Sequence, residues 1–421
     1  MENKLSENLF DEVFATRMLD IPRSFLREIL KVAISPGMIS FAGGLPNKDL
    51  FPLEAIRKAC DHVLTHYGPD ILQYSNSEGL HELRAHIADH YKQRGISHVS
   101  PDNILITHGS QQALDLLAKV LVNEGDRVVL EEPSYLGAIQ ALSLFRPQFV
   151  PVPLSDEGMD VERLKDVFSE NVKLMYVIPN FQNPSGISYS ESNRRAVAEI
   201  IKGTKTFLVE DDPYGELRFS GKEKTSFINL APENTILLGS FSKTVVPAFR
   251  LGWVVVPSEL MEKMVVAKQA ADLHTNSFTQ QVIYQYLIDN DPAAHIAKIV
   301  ERYSAQKQAM TAAIEKYFPP SVTHTNPEGG MFLWLKLPEG VSAMRFFEMA
   351  VKDGVCVVPG HPFYIGRDDV STVRLSFSCV DEKTIDEGMR RLGAVAYQLC
   401  PRTEAEQKNA QRRGPAGHDL V

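Results

Sequence analysis

Seven short apolar runs set the strongest limit on how this chain can fold. They lie at 104–107, 127–131, 148–152, 173–178, 207–210, 235–239 and 253–256. Most are rich in Val, Ile and Leu and apolar throughout, the pattern of strands covered on both faces. Amphipathic stretches separate several of them. In one, Ala113, Leu114, Leu117, Ala118 and Leu121 share a helical face, and Ser110 stands where it can cap the start. This alternation predicts an α/β fold, an open and mostly parallel seven-stranded sheet covered by helices.

After about Asp291 the order changes. A long helical stretch over 293–317 leads to separated strands at 331–337, 355–358 and 373–377, with helices over 343–352 and 382–399 among them. That is the order of a smaller α+β domain, and 421 residues exceed one ordinary core. A short helix is expected over 21–34. The expected division is an N-terminal arm and part of the small domain over 1–57, a large domain over 58–295, and the rest of the small domain over 296–421. The tail from about 401 is charged, almost free of apolar residues, and expected to be mobile.

Lys and Arg number 44 against 53 Asp and Glu, a net charge of −9. Such a chain has no electrostatic footprint for nucleic acid or an anionic membrane surface, although a local pocket can still take a small anion. No apolar run is long enough to span a bilayer, and the polar start has no signal core. Cys60, Cys356, Cys379 and Cys400 show no CxxC spacing, so they read as thiols in a reducing compartment and not as a metal site. A soluble cytoplasmic protein is expected.

Five segments carry candidate chemistry, and each has a plainer reading. In GSFSKTVVPAFRLGW (239–253), Ser240, Ser242 and Arg250 are able to bind a phosphate, and Lys243 beside a phosphate-anchored aldehyde is able to form a Schiff base. An ordinary loop lysine and a surface arginine fit equally well. VEDDPYG (209–215) runs from a strand into two acids, suited to holding a heterocyclic nitrogen protonated, to binding magnesium, or to forming an acidic turn. IPNFQNPSG (178–186) offers Asn183 at a strand end, or simply a turn. ILITHGSQQAL (104–114) ends a strand and opens a helix, whose free N–H groups suit phosphate as well as any cap. In EEPSYLG (131–137), Tyr135 is able to lie over a flat cofactor or to sit in a core.

In this order the five segments resemble the pyridoxal-phosphate-dependent aminotransferases of fold type I, over about residues 20–400. The resemblance is greatest to the 2-aminoadipate and kynurenine aminotransferases, through SFAGGLPNKDLFP (40–52), LQYSNSEGL (72–80), ADLHT (271–275), EGGMFLW (328–334) and VPGHPF (358–363). It implies pyridoxal 5'-phosphate as cofactor and Lys243 as the Schiff-base lysine. Asp211, 32 residues before Lys243, becomes the partner of the pyridinium nitrogen. Asn183 and Tyr214 would bond the ring's phenolic oxygen, Tyr135 would stack on the ring, and Ser110, Gln111, Ser240, Ser242 and Arg250 would hold the phosphate. Tyr74 would reach the phosphate of a partner subunit, making a homodimer with shared sites. Arg374 would clamp the substrate carboxylate, with Gly44 and Asn183 beside the substrate. Arg27, in a helix covering the cleft, would meet an acidic substrate side chain. Glu132-Pro133 and Asn183-Pro184 match positions where relatives often have cis peptide bonds.

The implied reaction moves an amino group from an L-amino acid to a 2-oxo acid such as 2-oxoglutarate in ping-pong fashion. The donor is expected among 2-aminoadipate, glutamate, leucine and the aromatic or kynurenine class. A β-lyase or decarboxylase uses the same Lys243 and Asp211, and an aminotransferase-like transcription regulator is a third alternative. The latter carries a winged-helix domain first, for which the roughly 40 residues before GGLP are too few.

Overall fold

The computed structural model describes residues 13–19, 25–168 and 171–400. The tail expected to be mobile from about 401 lies outside the described residues. The seven expected strands form one sheet, in the order Ile104–Thr107, Gly252–Val255, Thr235–Ser240, Phe207–Asp211, Val172–Val177, Arg127–Glu132 and Gln148–Ser155. An eighth, two-residue strand, Gly158–Met159, extends the sheet, because the chain turns back after Ser155 and pairs antiparallel with its own predecessor.

Direction in this sheet determines where a ligand sits. The strands at 127, 148, 172, 207 and 235 pair in parallel. Gly252–Val255 runs antiparallel to both its neighbours, so Ile104–Thr107 points the same way as the parallel set. Six carboxyl ends therefore share one edge, and Gly252 begins its strand there. Loops leaving that edge converge where open α/β sheets bind ligands.

The expected helix over 110–121 is present, but its start differs from expectation. Gly109, at φ +74°, is the N-cap and Ser110 is already the first helical residue, making no side-chain cap bond. The left-handed backbone of Gly109 suits glycine, and a Cβ there would lie 2.7 Å from Arg250 Nη2. Only glycine fits that backbone so close to the guanidinium.

A four-stranded antiparallel sheet holds Thr323–His324, Phe332–Lys336, Thr372–Ser376 and Val358–Pro359 in that order. The single strand expected over 355–358 divides in two. Val355–Cys356 pairs instead with Ile39–Ser40, and Val358–Pro359 with Thr372–Ser376. The N-terminal segment is thereby stitched to the C-terminal region. Helices Ala343–Lys352 and Glu382–Leu399 run over the residues expected of them, and Pro292–Tyr317 starts one residue early. The short N-terminal helix spans Phe25–Ala33, with Ile29 buried in a cluster with Ala42, Trp334 and Phe363. Among the described residues no helix is long and apolar enough to cross a membrane.

Candidate active site

A cavity of about 310 Å³ opens at the shared carboxyl edge, between the main sheet and the smaller one. Gly44, Ser110, Gln111, Tyr135, Asn183, Asp211, Tyr214, Ser240, Ser242, Lys243, Arg250 and Arg374 all line it. One described residue of the expected site, Tyr74, does not. Tyr74 is 79% exposed, its ring edge-on to His274 at 5.8 Å. Arg27 belongs to the helix Phe25–Ala33, but its side chain lies outside the described residues.

Asp211 ends its strand with a buried side chain. Oδ2 accepts a 2.7 Å hydrogen bond from the Tyr176 hydroxyl, while the equally buried Oδ1 has no partner. Burial pushes this carboxyl up to about 7, against the pull of Tyr176. A buried acceptor left open at a cavity wall calls for a donor from a bound group. Asp212 faces elsewhere: Oδ1 accepts from Asn180 Nδ2 at 2.9 Å, and Oδ2 lies 3.8 Å from the Arg94 guanidinium. Neighbouring residues at a strand end point to opposite sides of the sheet, which separates the two acids.

Lys243 Nζ donates to the Gly44 carbonyl at 2.9 Å and lies 6.0 Å from the centre of the Tyr214 ring. Burial, then the charge of Arg374, lowers its ammonium to about 8, with Arg250 adding a smaller push. An amine so shifted is neutral often enough near neutral pH to act as nucleophile or base. Position 44 has little room for a side chain, since a Cβ there would meet Phe332 Cζ at 2.8 Å.

At the other end, Gly109, Ser110 and Gln111 bring the start of helix Ser110–Leu121 to the wall, opposite Ser240, Ser242 and Arg250. The first-turn amides of a helix with an arginine fork beside them form an anion site. Ser240 Oγ also accepts from the Ser242 N–H at 3.1 Å, which tightens the turn before Lys243.

Arg374 reaches the cavity from the central strand Thr372–Ser376. Its Nη1 donates to Asn183 Oδ1 at 2.9 Å and its Nη2 to the Ala42 carbonyl at 2.8 Å, while the buried Nε has no partner. Phe332 and Phe363 lie 4.5 and 5.1 Å from the guanidinium carbon. Burial lowers the group only to about 10, so it is a cation at neutral pH. Asn183 also bonds Tyr214, whose hydroxyl burial holds well above the ordinary phenol range. Tyr135 Oη donates to Gln111 Oε1 at 3.4 Å.

Sequence reasoning missed the groups behind this wall. Tyr176 sits in a mostly apolar strand and reads as core, yet it fixes Asp211. Glu131, fully buried, accepts from the Ile178 N–H, Gln182 Nε2 and the Tyr189 hydroxyl at 3.1, 2.9 and 2.7 Å. Gln182 Oε1 in turn accepts from the Ser185 N–H and hydroxyl at 2.8 and 2.6 Å, which shapes the loop carrying Asn183. The signal available was a glutamate closing an apolar run. The peptide bonds Glu132-Pro133 and Asn183-Pro184 are both cis, as the resemblance implied.

The cavity fits pyridoxal phosphate on its own terms: an open buried carboxylate oxygen for a protonated ring nitrogen, an amine of lowered basicity, and an anion site at the far end. Sheet and site together define a fold type I pyridoxal-phosphate enzyme. The family model of aminotransferase class I and II matches residues 36–392, and the chain belongs to that family of pyridoxal-phosphate-dependent aminotransferases. It is 39% identical over 405 residues to aromatic-amino-acid aminotransferase 1 of Thermococcus litoralis, covering 93% of this chain and 97% of the relative. The α-aminoadipate aminotransferase of Thermus thermophilus, solved with N-(5'-phosphopyridoxyl)-L-leucine, superposes with a TM-score of 0.86 at 39% identity, covering 93% of this chain and 98% of that one. The kynurenine aminotransferase of Pyrococcus horikoshii, solved with PMP, gives 0.88 at 41% identity, with 92% and 98% covered.

Proposed function

We propose that this aminotransferase takes its amino group from an L-amino acid of the 2-aminoadipate, glutamate, leucine or aromatic and kynurenine classes. The acceptor is a 2-oxo acid such as 2-oxoglutarate, and the two half-reactions alternate in ping-pong order. The observation that carries this is the convergence on one cavity of the open Asp211 Oδ1, the lowered amine of Lys243 and the buried cation Arg374. Similarity to enzymes named for 2-aminoadipate, aromatic amino acids and kynurenine supports the donor classes.

When bound, pyridoxal phosphate supplies the electron sink and the carrier for the amino group. Asp211 would hold the ring nitrogen protonated, its carboxylate oriented for that task by Tyr176. Asn183 and Tyr214 would donate toward the ring's phenolic oxygen, and Tyr135 would stack on the ring. Ser110, Gln111, Ser240, Ser242 and Arg250 would bind the phosphate. Lys243 would anchor the cofactor at rest and, once displaced by substrate, would act as the base that takes the proton from the substrate Cα and delivers it to the cofactor. Arg374 spends one N–H on Asn183 and one on Ala42, and its remaining donors receive the substrate carboxylate beside Gly44.

The working form in this reading is a cytoplasmic homodimer, with the exposed Tyr74 completing the partner's phosphate site; four unpaired cysteines suit a reducing compartment. The proposed domain division falls near residues 58 and 296, with the 39–40 segment built into the smaller unit through its pairing with 355–356. Initial rates with a panel of amino donors and 2-oxoglutarate test the assignment. Glutamate formation from at least one listed class is expected. No transfer from any of them would overturn it.

A further inference from the structure

The segment ADLHT lines no part of the cavity, yet its side chains reach both the phosphate end and the exposed Tyr74. Asp272 closes the helix Ser258–Asp272. Its Oδ2 accepts from His108 Nδ1 at 2.7 Å and from Gln112 Nε2 at 2.6 Å, and its Oδ1 from Lys268 Nζ at 2.6 Å. His108 immediately precedes the left-handed Gly109, and its own N–H donates to Gln112 Oε1 at 2.8 Å. One carboxylate thus ties the residue before the helix start to a residue of its first turn. Leu273 follows at φ +66°, a conformation that costs a side-chain-bearing residue energy and persists only when its surroundings hold it. The fully buried Thr275 supplies that hold, donating from Oγ1 to the Ile106 carbonyl at 3.0 Å, while His274 meets the Tyr74 ring.

We propose that Asp272 is a positioning residue for the cofactor's phosphate, acting through His108 and Gln112 on the backbone of Gly109, Ser110 and Gln111. A carboxylate only accepts, and here three donors converge on its two oxygens, so it locks both groups in one arrangement. With that lock removed, the helix start rotates away from Arg250 and the phosphate loses amides that were aimed at it. The inference rests on reading this end of the cavity as the phosphate site.

The experiment measures pyridoxal phosphate binding to apoenzyme by quenching of tryptophan fluorescence. Asp272→Asn puts an amide where one of the three donors stands, and the dissociation constant should rise about tenfold. At saturating cofactor its kcat and its KM for the amino donor should return to within about twofold of wild type, because the reacting groups are untouched. Lys268→Met removes the ion pair on the far oxygen but leaves His108 and Gln112 held, so it should lower the apoenzyme melting temperature while cofactor affinity stays within about twofold. Should Asp272→Asn fail to fold, Gln112→Met carries the same test, with an expected loss of about threefold. Unchanged affinity in the folded variant, or equal losses in Asp272→Asn and Lys268→Met, would overturn the proposal. Arg250→Ala separates this failure from failure of the phosphate reading: if it too leaves affinity unchanged, the phosphate site itself is misassigned.

Discussion

At the floor of the cavity the chain holds its own groups. Asp211 is bonded by Tyr176, Asn183 by Arg374, and Arg374 by Ala42, which leaves Asp211 one open oxygen and Arg374 its remaining donors to offer. At the rim the chain holds little. Leu72 and Tyr74 are 71% and 79% exposed, and their segment is held by the Ser277 hydroxyl, which donates to the Ile71 carbonyl at 3.2 Å. Buried, bonded groups are fixed before a ligand arrives, so they suit chemistry that any amino acid shares. Exposed groups are free to meet a second subunit or a variable side chain. The difference separates what the enzyme does from what it selects.

The floor should break first and hardest. Lys243→Ala removes the amine that anchors the cofactor and moves the proton. Turnover should fall by at least about 10³-fold and the visible absorption of the holoenzyme should disappear. Next comes the acid pair. Asp211→Asn should cost about 10²-fold in kcat with the fold retained, because a neutral amide cannot hold the ring nitrogen charged. Asp212→Asn, which touches Asn180 and the Arg94 guanidinium instead, should cost far less. Stopped-flow kinetics on both variants checks the order, and a greater loss at Asp212 would reverse the assignment.

The rim should respond more weakly and more selectively. Tyr74→Phe should weaken cofactor binding about tenfold, one charge-assisted hydrogen bond, with light scattering of the holoenzyme still giving a dimer or a multiple of one. A fully active monomer would remove the argument for shared sites. Arg27→Ala should raise KM for 2-aminoadipate and glutamate about fivefold, the scale of a solvent-screened ion pair, and leave leucine nearly unchanged. Equal effects on all three donors would show that the helix Phe25–Ala33 does not read side-chain charge.

Much of this was legible in the sequence because local pattern carried it. Runs of Val, Ile and Leu located the strands, and the five motif segments end or follow strands whose carboxyl ends meet. What escaped depends on distant partners. The division of 355–358 is set by Ile39–Ser40 and Thr372–Ser376, which no local window contains. Ser110 is already helical because the left-handed Gly109 takes the N-cap position, a backbone choice no side-chain pattern announces. Tyr176 looks like core until Asp211 is seen beside it. Asp272 reaches His108 and Gln112 from 164 and 160 residues away, and no spacing rule spans such a gap.

The central claim is that the floor performs amino transfer, as opposed to elimination or decarboxylation on the same groups. A single half-reaction tests it most directly. Holoenzyme is mixed with one equivalent of an active amino donor and no 2-oxo acid, and the visible spectrum and released products are followed. The account predicts that the visible band is lost once, that one 2-oxo acid forms per site, and that the band returns only when 2-oxoglutarate is added. Continued turnover without an acceptor, or release of carbon dioxide or a side-chain fragment, would contradict it.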